Sequence, residues 1–99
     1  MTIKFLKNYF ENEENPKFFL TDVFSWRGIY DEVAFIPSDK GSKEESILLI
    51  NMALTETFRG YKGGNYTYDL NTKVHFEDDN SNYDDMELYM LLIYYIKNK

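Results

Sequence analysis

Cysteine is absent from the 99 residues, so disulfides, thiolate nucleophiles and cysteine-ligated zinc are excluded at the outset. Histidine is nearly as scarce, with His75 alone, which leaves no ligand set for a structural zinc site. Arginine occurs twice, as Arg27 and Arg59, and tryptophan once, as Trp26. No long apolar run is present. The most apolar stretch, Leu88 to Ile96, is under half of the about 20 residues that a membrane helix needs, and it follows a run of acids. The opening residues Met1-Thr2-Ile3-Lys4-Phe5-Leu6-Lys7 lack the apolar core and cleavage site of an export signal. These gaps lead us to expect a chain that works in the cytoplasm and makes no use of a membrane.

What is present favours a packed globule. A composition 43% hydrophobic and 18% aromatic contains enough apolar surface for a core, much of it on Tyr and Phe. At this length one domain, residues 1–99, is expected, burying roughly two-thirds of the surface its unfolded chain exposes. The formal charge is −6, and it is dispersed: residues 1–50 carry nine acids against six bases, residues 51–99 eight against five. A net negative surface repels nucleic acid and anionic membranes and is drawn to a basic groove on another protein. The plainer reading is that the charge keeps a small protein soluble.

Periodicity organises the chain. Ile3, Leu6 and Phe10, with Phe5 and Tyr9, recur at helical spacing and predict a short amphipathic helix ending before Pro16. Phe18 to Trp26 and Tyr30 to Ile36 read as strands separated by a turn at Gly28, the second closed by Pro37. Ser42 and Glu45 form a capping box opening the dominant helix. Ile47, Ile50, Leu54 and Phe58 line its face, widened by Leu48 and Met52, and Gly60 is placed to end it. Asn65 to Leu70 and Thr72 to Glu77 alternate as strands, which predicts a hairpin turning at Asn71. Met86 to Lys97 reads as helix. The expectation is an α+β domain, a mainly antiparallel sheet packed by one dominant central helix.

Few constellations carry chemistry. His75 sits in an alternating strand whose Val74 and Phe76 face the other way, so it belongs to the more polar face. It has no serine elbow or thiol to pair with, and no catalytic residue is assigned. Asp78, Asn80 and Asn82 resemble the start of a calcium loop, yet Tyr83 and Tyr89 stand where the loop requires glycine and an acid. No metal or other cofactor is therefore expected. Gly60-Tyr61-Lys62-Gly63-Gly64 does not match a phosphate loop, because a helix precedes it and a strand follows. Arg27, Gly28, Lys62, Gly63 and Gly64, walled by Trp26, Tyr61 and Tyr66, form the candidate ligand site if the two segments converge as an anion pocket. The plainer reading makes those glycines turns. A second candidate surface is the acidic set Glu77, Asp78, Asp79, Asp84, Asp85 and Glu87, whose spaced carboxylates can imitate nucleic-acid phosphates. Its plainer reading is a solvated loop and a helix N-terminus.

Ser25-Trp26-Arg27-Gly28-Ile29-Tyr30-Asp31, then Gly60 to Tyr66, then Thr72-Lys73-Val74, follow in order with the capped helix between the first two. In this the middle half of the chain resembles a scattered group of small phage proteins of unassigned activity, with the signature S-[WY]-R-G-x-Y-[DE], G-[YW]-K-G-G-x-[YF] and T-x-V. The resemblance implies a phage-like origin in an infected bacterial host and, by analogy, action by stoichiometric binding. Three readings follow. The first is a non-enzymatic counter-defence inhibitor whose acidic surface occupies the basic nucleic-acid groove of a host protein, without binding nucleic acid itself. The second is a sponge for a small nucleotide signal, with a minor enzyme acting through His75 or a carboxylate as its catalytic variant. The third is a structural or virion role, with Tyr66, Tyr68, Tyr94 and Tyr95 furnishing a homodimer surface.

Overall fold

The computed structural model describes residues 1–25, 32–59 and 64–77. Helix α1, Ile3–Asn12, starts where the Thr2 hydroxyl accepts the Phe5 N–H at 3.3 Å. It buries Ile3, Leu6, Tyr9 and Phe10, the stripe that the helical spacing predicts. Strands β1, Phe19–Ser25, and β2, Glu32–Ser38, pair antiparallel from Phe19↔Ser38 to Ser25↔Val33. Pro37, expected to close the second strand, lies inside it. It is tolerated because it faces Leu20 beside a register shift at Leu20/Asp22, beyond the reach of the strand on the other side of β2.

Helix α2, Lys43–Thr55, opens on the Ser42 half of the expected capping box: the Ser42 hydroxyl accepts the Glu45 N–H at 3.1 Å. Its end departs from the expectation. The helix stops at Thr55, and Thr57–Arg59 is strand β3, so Phe58 reaches the core from a strand and Gly60 is not the helix C-cap. The buried stripe is Ser46, Ile50 and Ala53, while Leu48 is 60% exposed. Small residues at Ser46 and Ala53 let the helix approach the sheet closely.

Strand β3 pairs antiparallel with β4, Asn65–Thr67. The hairpin expected at Asn71 does not form, because β5, Lys73–Phe76, joins β2 in parallel, with Val33↔Val74 and Phe35↔Phe76. Thr72 instead closes a local turn: its hydroxyl accepts the Asp69 N–H at 2.9 Å. The main sheet is thus mixed, ordered β1-β2-β5, and two of the three strand pairings in the described chain are antiparallel. Beyond β5 the N-terminus adds a bridge. Thr2 pairs with Lys73, the Val74 N–H donates to the Met1 carbonyl at 2.9 Å, and the Ile3 N–H donates to the Thr72 carbonyl at 3.0 Å.

Register decides where the core lies. Val23, Val33, Phe35, Val74 and Phe76 share one sheet face and meet the buried stripes of α1 and α2 in one cluster. The rings of Tyr9, Phe10, Phe18 and Phe76 interlock there with centroids 5.1–5.6 Å apart, mostly edge to face. Phe58 and Tyr68 add a tilted pair at 5.3 Å. The result is an α+β domain with the two described helices over one face of the main sheet.

Candidate functional site

Each signature segment is bounded by an antiparallel stem. Residues 26–31 connect β1 to β2 above the Ser25↔Val33 pair, and residues 60–63 connect β3 to β4 above Arg59↔Asn65. Trp26, Arg27, Gly28, Tyr61, Lys62 and Gly63 themselves lie outside the described residues. Of the candidate pocket, Gly64 is half-buried at the entrance to β4, and Tyr66 lies in β4 opposite Phe58. The stems belong to different sheets. The structure therefore fixes the footings of both segments, whereas the convergence of their tips is not among the described features.

Next to the first stem, a charged cluster occupies the sheet face turned away from the two described helices. Alternation along β2 sends Glu32 and Ala34 opposite to Val33 and Phe35, and parallel register places Lys73 beside Glu32 and His75 beside Ala34. The Glu32 carboxylate spans both partners: Oε2 is 3.1 Å from His75 Nε2, and Oε1 is 3.8 Å from Lys73 Nζ. Glu32 and His75 side chains are about one-fifth exposed, at 19% and 22%, so water screens their contact only in part. The expectation that His75 lies opposite Val74 and Phe76 holds, since those two are buried. Glu32 as its partner was not legible, because the pair depends on a β2–β5 register between strands far apart in sequence.

Of the acidic candidates, Glu77 is described and the other five, Asp78, Asp79, Asp84, Asp85 and Glu87, lie outside. The Glu77 N–H donates to the Phe35 carbonyl at 2.9 Å and prolongs the parallel ladder, so its backbone is structural while its side chain is half-buried. Carboxylates elsewhere are well displayed: Glu11, Glu14, Asp22, Asp39, Glu44, Glu45, Glu56 and Asp69 are all exposed, against Lys4, Lys17, Lys40 and Lys73 among the described bases. Tyr68 is removed from the homodimer set. It is 4% exposed and packs on Phe58, because the chain turns inward after β4. Tyr94 and Tyr95 lie outside the described residues, as does the expected helix from Met86 to Lys97.

Among the described residues, no three His, Asp or Glu side chains gather where they would hold a metal ion, and no helix is long and apolar enough to cross a membrane. Comparison with protein families, with curated proteins and with solved structures finds no match to this chain.

Proposed function

We propose that the protein is a non-enzymatic inhibitor of phage type, acting in the host cytoplasm, that binds a host defence or nucleic-acid-processing protein at its basic groove. The observation that carries this reading is the outward distribution of carboxylates: eight exposed acids against four exposed bases on the described surface, within a chain of formal charge −6. A small body with that surface presents to a basic cleft the same sign of charge as a nucleic acid. The test is capture from a bacterial lysate on the immobilised chain, followed by titration of the captured protein. Binding that weakens steeply with salt and competes with DNA or RNA supports the reading. Salt-insensitive, non-competitive binding overturns it.

A second reading draws on the two stems. The two antiparallel pairs flank the segments that carry Arg27, Lys62 and the glycines, and a nucleotide sponge requires glycine amides and cations gathered around an anion. Calorimetric titration with cyclic and linear nucleotides separates it from the first: heat that disappears in Arg27→Ala favours the sponge. Recovery of intact nucleotide after denaturation distinguishes the sponge from an enzyme acting on the same ligand.

A further inference from the structure

We propose that Asp22 and Ser46 close the outer edge of β1 against strand addition by a second copy of this chain. The direction of the backbone groups follows from one bond. The Phe35 carbonyl accepts the Glu77 N–H on the β5 side, so Phe35 turns its backbone groups away from β1. Its partner Val23 then sits in a non-hydrogen-bonded pair, and the Val23 N–H points outward from the sheet. By the same alternation Pro37, two residues on, turns from β1, and its partner Leu20 also points its N–H outward.

Both outward donors are already taken. Ser46 of α2, fully buried, accepts the Leu20 N–H at 2.9 Å and donates its own hydrogen to the Ser42 carbonyl at 2.9 Å. The Asp22 carboxylate accepts the Val23 N–H at 2.8 Å. Between them the register shifts, and the Thr21 hydroxyl turns back to the Ile36 carbonyl at 3.2 Å. Thr21 and Asp22 are exposed, so this stretch of edge faces solvent. An incoming strand would have to exchange a charged acceptor on Val23 for a neutral carbonyl. A second copy would also bring its own Asp22 close to the first. Helix, carboxylate and bulge together blunt an edge that would otherwise template pairing.

The test uses the full chain with Asp22→Val and Asp22→Asn, followed by sedimentation and amide exchange at Val23. In dilute Asp22→Val the Val23 amide exchanges roughly tenfold faster or more than in the unmodified chain. As the concentration rises toward roughly millimolar, the mass doubles and Val23 regains protection. Asp22→Asn keeps an oxygen acceptor but loses the charge, so its Val23 exchange and its doubling fall between those of the unmodified chain and Asp22→Val. A folded Asp22→Val that stays at one mass, or doubles with Val23 unprotected, overturns the proposal. Doubling of Asp22→Asn as readily as Asp22→Val overturns the role given to the oxygen. Should Asp22→Val fail to fold, Asp22→Ala is judged by the same two readings.

Discussion

Two small residues set the spacing between the second helix and the sheet. Gly41 adopts φ 150°, and a β-carbon there would stand 2.9 Å from the Phe19 β-carbon. Gly41→Ala combines an unfavourable backbone with a clash, so urea unfolding should report a loss of more than about 1 kcal/mol. An unchanged midpoint would mean that the turn has room to relax. Ser46 is buried for its hydroxyl rather than its bulk, and Ser46→Ala leaves the Leu20 N–H without its acceptor. The expected loss is about 1–3 kcal/mol, with faster amide exchange at Leu20 as its specific sign. Neither role was visible beforehand. Gly41 reads as a loop glycine and Ser46 as a polar residue within a helix, and only the approach of β1 gives each its task.

Element starts were more legible than element ends. The Ser42 cap is written in four consecutive positions and formed as expected, because its partner is three residues away. Ser42→Ala should cost about 1 kcal/mol and lower the thermal midpoint, without altering the circular-dichroism spectrum of the folded state. A changed spectrum would show that the cap also selects the fold. The end of α2 was misread because Phe58 continues the apolar spacing. A helix and the strand that follows it can both supply a residue to the same core, and periodicity does not distinguish them. The Asn71 hairpin failed for a related reason: alternation marks Lys73–Phe76 as strand but says nothing about which neighbour it takes. The same blindness hid Glu32, whose partners Lys73 and His75 become neighbours only through that parallel pairing.

At the scale of the whole molecule, the proposed inhibition depends on field more than on any single contact. Glu14 and Glu56 are exposed and lie in separate parts of the chain, after α1 and after α2. Reversing both to lysine adds two charges at each site and takes the formal charge from −6 to −2. Stability should hold or rise slightly, since a cation after α2 suits the C-terminal end of a helix. Association with the captured target should slow at low salt and change little at high salt. An association rate indifferent to both reversals would place recognition in local contacts and not in the overall field.

The bridge between Thr2 and Lys73 has a consequence in time as well as in space. Met1, Thr2 and Ile3 find their hydrogen-bonding partners at Thr72, Lys73 and Val74, far along the chain, and β2 finds its second partner strand in β5. The β1–β2 pair can form early in synthesis, but the main sheet is completed only when β5 arrives. Until β5 has been made, aromatic side chains of the shared core stay uncovered.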